Sequence, residues 1–338
     1  MIIKRFHQKE YKTLSKFIHQ YYRKNHILSK SKKLFDQMFY DNHLKKYNFL
    51  IAKEKNSILA TKGILPLQMF DRKLKFETFM TMWCSTRPTA GIRIFEKLLD
   101  KKFNFICGIG SSPESVTYQK YKKFKIGKLN HFYLLSKKIK SFKIARVNKN
   151  YKNIRGKYYG ENYIKLTPNL LKNEKLDSLF KYQIPKKSSN YLINKYLKSK
   201  YYKYYAYGSI KKDKIINIVI LRNCYYQNRT AIRIIDYIGS DKNFKFLDRL
   251  FLFLFEKNNV EYVDFYSFGI PDREILNCGF QIKKIKDENI IPNHFEPFEK
   301  KNKTIIFGYL KRNISKKKIR LFKGDSDMDR PNVLLSNF

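Results

Sequence analysis

The sequence predicts an α+β protein of two tandem domains, each a mixed, mostly antiparallel sheet flanked by helices. Three observations predict it. Residues 78–135 read as strand, glycine-containing turn, amphipathic helix, short buried strand, polar turn, second helix and strand. The same order of elements returns in the second half with little residue identity. At about 150 residues per domain, a chain of 338 residues has room for two cores. The domains fall at 1–136 and 188–312, with a lysine-rich connector at 137–187 and a tail at 313–338.

The first half opens with Tyr11, Leu14, Phe17, Ile18, Tyr21 and Tyr22 at helical spacing over Glu10–Arg23. Ser31 is an N-cap for a second helix that buries Leu34, Phe35, Met38 and Phe39. His26 lies between these helices, where a neutral imidazole either serves the structure or accepts a proton from a substrate near pH 7. Strands follow at Phe49–Ala52, at Ile58–Leu67 with Ile58, Ala60, Lys62 and Ile64 on one face, and at Lys73–Trp83, which alternates cleanly. The turn Arg87-Pro88-Thr89-Ala90-Gly91 leads into a helix with Ile92, Phe95, Leu98 and Leu99 on one side. Free backbone N–H groups at such a helix start can hold an anion, and Ala90 and Gly91 let it approach the backbone. Phe103–Ile109 is a short apolar strand, and Pro113 opens the next helix.

Residues 136–187 lose periodicity and carry Pro168 and Pro185 as breakers, with a short helix at Leu170–Phe180. Order returns with a helix over Asn190–Leu197, strands at Ile215–Arg222 and Thr230–Tyr237, a helix over Phe244–Glu256, a strand at Tyr262–Ser267 and a short helix at Arg273–Leu276. Asp236 is polar in an otherwise apolar strand, either capping an edge or hydrogen-bonding a sugar or amine.

Composition narrows the function classes. The richest apolar run, Leu250–Phe255, is far short of the ~20 residues of a membrane span. The N-terminal MIIKRFHQKEYK lacks the apolar core of a secretory signal, so a cytoplasmic location is expected. The four cysteines are scattered without a CxxC and read as reduced thiols rather than a zinc site. The net charge of +44 is mostly lysine spread along the chain, as solvated faces and AT-rich coding would give. Affinity for a phosphate-bearing donor, or peripheral contact with an acidic membrane, stays open beside that reading. Asp325, Asp327 and Asp329 have the alternate spacing of a calcium loop but lack its central Gly and terminal Glu, so no metal is expected.

The strand–turn–helix at Gly91-Ile92 and the string Tyr121-Lys122-Lys123-Phe124-Lys125-Ile126 resemble the donor site of GNAT-type acyltransferases. That family has a Gln or Arg, two residues, Gly, any residue, then Gly or Ala, and later Tyr-x-x-Leu-Gly-Phe. Arg87 is one position out of register, Arg93 stands where the second small residue is expected, and Lys125 and Ile126 replace Gly and Phe. The resemblance implies acetyl-CoA or another acyl-CoA as donor, its diphosphate at Arg87, Thr89, Ala90, Gly91, Ile92 and Arg93. It implies Tyr121 as proton donor to the departing thiolate and main-chain N–H groups near Trp83 on the thioester carbonyl. Glu77 is the candidate proton acceptor, and His26, Trp83 and Asp236 are candidates to face the acceptor. The second copy keeps Gly279-Phe280 but has Asp241 in its turn and Ile275 at the tyrosine's place, which makes it a degenerate domain.

The tail KGDSDMDRPN, with the YRKNHIL and YLKSKYYKYYAYG stretches, is similar to GNAT-like proteins encoded among bacterial surface-polysaccharide genes. That likeness implies acyl transfer, acetyl first, to an amino sugar or related precursor of the cell envelope. Two other classes stand beside it. A FemABX-like transferase would take its donor from aminoacyl-tRNA, as the basicity favours, nucleic acid being otherwise unexpected. A non-catalytic scaffold of the same pathway would explain Arg93.

Overall fold

A computed structural model describes residues 1–148, 159–173, 175–257, 259–293, 298–312 and 316–333. The chain divides into two units: Met1–Ile126 with Phe307–Ile314 and Ser326–Phe338, and Gly127–Ile306 with Ser315–Asp325.

In unit 1, strand β1 (Ile2–Arg5) precedes helix α1 (Tyr11–Phe17), which widens into an i→i+5 turn closed by Arg23 N–H on the Ile18 carbonyl. Helices α2 (Ile27–Lys30) and α3 (Lys32–Phe39) follow, and the Ser31 hydroxyl accepts from Leu34 N–H as the sequence predicts. Then come β2 (Phe49–Glu54), β3 (Ser57–Pro66), β4 (Glu77–Ser85), α4 (Pro88–Leu99), β5 (Phe105–Ile109) and α5 (Pro113–Tyr121). Strands β1 to β4 pair antiparallel in order, β4 and β5 pair parallel, and Phe307–Lys311 adds antiparallel to β5. One face packs Ala60, Ile64 and Met80 against Ile94, Phe95 and Leu98 of α4. The other carries Phe35, Phe39 and Phe49, whose rings meet edge to face. A Cβ at Gly63 would sit 2.8 Å from Phe39, so a bare backbone is what lets α3 close on the sheet.

Unit 2 holds β6 (Lys125–Leu135) from Gly127 onward, β7 (Asn162–Leu166), α6 (Pro168–Asn173), α7 (Ser189–Leu192), β8 (Tyr204–Lys211), β9 (Asn217–Tyr226) and β10 (Arg229–Gly239). It continues with α8 (Asp248–Glu256), β11 (Val260–Phe268), α9 (Asp272–Leu276) and β12 (Gln281–Lys283). The neighbour order is β7-β8-β9-β10-β11-β6-β12, antiparallel except for β10–β11. Phe244, Leu247, Leu250, Phe251 and Leu254 cover the sheet through Val219, Ile232, Val263 and Phe265. Both units are thus mixed, mostly antiparallel sheets with flanking helices.

The stretch expected as a connector carries β7, which pairs along Ala206–Ile210, and short helices in place of one at 170–180. Five residues, NYIKL, are too short a run to show a period. The tail is built in as well. Leu321 and Phe322 are fully buried and pair with β11, while further on Ile27 N–H donates to the Asn332 carbonyl at 2.8 Å. Among the described residues, no helix is long and apolar enough to cross a membrane.

Candidate active site

The parallel ladder of β4 and β5 runs from Glu77–Phe105 to Met80–Gly108 and ends there, while β4 continues to Ser85. Opposite the parting, the β3–β4 register shifts between Thr61 and Gly63, and Met82 takes a left-handed backbone with φ 48°. Thr61 Oγ1 donates to the Met82 carbonyl at 3.2 Å. This bulge turns Trp83 onto the α4 face that Met80 also packs on, whereas strict alternation would separate the two.

Pro88 begins α4, and the Arg87 carbonyl accepts from Ala90 and Gly91 N–H at 3.0 and 3.1 Å. Ala90 and Gly91 are buried. A Cβ on Gly91 would stand 3.0 Å from Ser85 Cβ, and Trp83 Nε1 donates to the Gly91 carbonyl at 3.0 Å. The small pair therefore seats the helix on the strand. The side of the turn open to solvent is formed by Thr89, Ile92 and Arg93, with Arg87 paired to Glu54 at 2.9 Å.

Ile92 and Tyr121 come together. With Glu96, Glu114, Thr117 and Tyr118 they line an open hollow of about 780 Å³ between α4 and α5. Tyr121 is 74% exposed, whereas Tyr118 packs at 5.7 Å on Trp83 and donates to the Glu96 carboxylate at 3.1 Å. Lys122 holds the same carboxylate at 2.7 Å, keeping its pKa below the ordinary value. The Gly-Phe position of the resemblance also moves. Lys123 has φ 61° and Phe124 is buried in the core, as Gly279 (φ 85°) and Phe280 are in unit 2. Counted from there, the residue that matches Ile275 is Gln119, which is buried.

Three expected residues lie elsewhere. Glu77 is the first residue of β4 and buried. Met82 is five residues on, about 16 Å along a strand, so strand direction puts Glu77 at the end away from the turn. His26 is 1% exposed; its Nδ1 accepts from Leu28 N–H at 3.3 Å, and its Nε2 faces Arg330 at 3.4 Å. Burial and the Arg330 and Arg23 charges push its pKa down to about 2, so it is a neutral cap of α2 rather than a group facing substrate. Asp236, in unit 2, is fully buried between Lys187 at 2.7 Å and the Tyr196 hydroxyl at 3.0 Å, closed to a sugar or amine.

Two residues that the sequence did not mark for acyl transfer belong to unit 1. Lys62, the residue of β3 opposite the β4 bulge, is 3% exposed, and its ammonium lies 4.9 Å from the ring centres of both Trp83 and Phe95. Burial lowers its pKa to about 7, with Asp327 pulling the other way. Asp327 itself is gripped by Arg330 at 2.6 Å. A lysine among Ile58, Ala60 and Ile64 on an apolar face was the legible signal.

A parallel strand pair that parts beside a helix start, with antiparallel strands before it, defines the fold class as that of the GNAT acyltransferases, and both units follow it. Solved structures agree. A GCN5-related N-acetyltransferase from Anabaena variabilis matches over 93% of this chain and 73% of its own, with TM-score 0.57 and 11% identity. A proposed acetyltransferase from Pyrococcus horikoshii matches over 97% and 94%, with TM-score 0.51 and 11% identity. At that identity the likeness is one of fold. No family model matches the sequence, and no curated protein matches it.

Proposed function

We propose that the chain is a tandem acyltransferase of the GNAT fold that moves an acyl group, acetyl first, from acyl-CoA to an amine, with the donor in unit 1. The observation that carries this is the parting of β4 from β5 beside a helix start that opens on the hollow of about 780 Å³. In this reading the diphosphate lies on the exposed turn of α4, where the helix dipole and Arg93 favour an anion. The arm of the donor runs along the hollow past Tyr121 and Tyr118 toward Trp83. The amine attacks the thioester carbon unprotonated, the C–S bond breaks, and Tyr121 gives its proton to the thiolate. The acceptor is an amino sugar or related surface-polysaccharide precursor, a proposal supported by the resemblance of the tail and the tyrosine-rich stretches. A second reading, aminoacyl-tRNA as donor, is favoured by the net charge of +44.

Trp83 is the only tryptophan, so its emission reports on the site directly. Titration with CoA should change that emission saturably. No change with CoA, together with salt-dependent binding of tRNA, would move the donor to aminoacyl-tRNA. Binding of neither would leave a scaffold.

A further inference from the structure

The donor reading leaves the proton of the acceptor amine without a destination, since Glu77 sits at the wrong end of β4. We propose that Lys62 takes that proton, acting as the general base of unit 1; the inference rests on the donor reading above. The geometry is a chain of ring contacts that links the hollow to the amine. Tyr118 lines the hollow and touches Trp83 at 5.7 Å, and Trp83 in turn lies 4.9 Å from the Lys62 ammonium. Lys62 is thus one ring behind the wall of the hollow, linked to Tyr118 through Trp83. Its position at the bulge, across from Met82, aims it at the place where β4 leaves β5.

Among the described residues, the amine of Lys62 forms no ion pair and donates no hydrogen bond; its neighbours are the faces of two rings. A buried ammonium without a carboxylate is costly, and a purely structural cation would be paired. The charged and titratable groups of the surrounding elements are committed elsewhere. Asp327 of the C-terminal segment is held by Arg330, Glu96 of α4 by Tyr118 and Lys122, and burial raises the thiol of Cys84 in β4 to about 11. Asp327 is the charge whose field reaches Lys62.

The step balances. An R–NH₃⁺ acceptor passes one proton to neutral Lys62 Nζ, and its lone pair then forms the C–N bond as the C–S bond breaks. Tyr121 protonates the thiolate, the second proton of the nitrogen restores Tyr121, and Lys62 returns its own to solvent.

The test uses the full chain, with thiol release from acetyl-CoA as readout and glucosamine or water as acceptor. Lys62→Arg keeps the charge but cannot give up its proton, and Lys62→Met removes the amine. The wild-type rate should climb with pH up to about 7 and then level, and both variants should lose about 10²-fold or more. CoA should still change Trp83 emission in each variant. A wild-type protein that binds CoA yet releases no thiol to either acceptor overturns the proposal. So does a Lys62→Arg variant with the wild-type rate and pH profile. CoA that leaves wild-type emission unchanged sinks the donor reading itself, a separate result that removes the premise.

Discussion

Replacing Lys62 by Met should stabilise unit 1, and by more at neutral pH than at pH 10. Burial carries the ammonium from 10.5 to about 7; at about 1.4 kcal/mol per pH unit, the charge is held inside at a cost of at most about 5 kcal/mol. The ring faces at 4.9 Å act in the opposite sense, so that figure is the upper bound on the gap between high and low pH. The sign follows from linkage. A base with a folded pKa below its unfolded one binds its proton more weakly in the folded state, so the penalty is absent above 10.5, grows as pH falls, and is constant below about 7. Methionine keeps the stem and its ring contacts while dropping the charge. Urea unfolding followed by Trp83 emission at about pH 6, 8 and 10 measures the gap between variant and wild type. The gap should be widest at the lowest pH and shrink toward the highest. A gap that is the same at every pH, or a variant less stable than wild type at pH 6, would refute the account.

Gly91→Ala should destabilise by about 1–3 kcal/mol through overpacking, because its Cβ meets Ser85 Cβ at 3.0 Å. Adding Ser85→Gly should recover part of that loss in thermal unfolding, and no recovery would place the strain elsewhere. Asp236→Asn should cost about 3–5 kcal/mol, since it leaves the buried Lys187 short of a carboxylate; circular dichroism during denaturation measures it. Tyr121→Phe, at a position 74% exposed, should leave stability within about 0.5 kcal/mol. Its turnover with acetyl-CoA should fall about 10²-fold, and full turnover would transfer the proton donor's role to Tyr118.

Much of the fold was legible because the chain repeats its own pattern. The amphipathic helices at 88–99 and 248–256 and the recurring order of elements follow from local spacing, whereas the strand expected from Lys73 begins only at Glu77, after Phe76 with φ 66°. The site was less legible, for three physical reasons. The bulge at Met82 has no glycine to announce it, and it changes which face Trp83 joins. Lys123 holds a left-handed backbone that glycine usually holds, so the Gly-Phe position was sought two residues late and pointed to Tyr121 rather than Gln119. The partner charge of Lys62 comes from Asp327, at the far end of the chain, and no local period encodes such a contact.

The same strand motif meets two different electrostatic ends, and that difference argues for donor binding in unit 1 alone. In unit 2 the parallel pairing of β10 and β11 ends at Ile234–Phe265, and the next polar group, Asp236, is locked to Lys187. Lys187 also holds Asp325 at 2.6 Å, and Lys195 bonds the Gly324 and Asp325 carbonyls. Every charge there has a partner of opposite sign or a carbonyl, in a site closed to water. An entering diphosphate would have to break a buried pair, at about 3–5 kcal/mol, before making any contact of its own. In unit 1 the matching position on β4 is Met82, and across from it on β3 lies Lys62, whose charge is opposed only through the field of an Asp327 already taken by Arg330. No buried pair has to be broken there for a donor whose diphosphate stays on the exposed turn of α4, and the amine keeps its neutral form for the proton. Among the described residues, buried ion pairs fill the cleft of unit 2 while Lys62 of unit 1 forms none, which is why the proposed donor is assigned to unit 1.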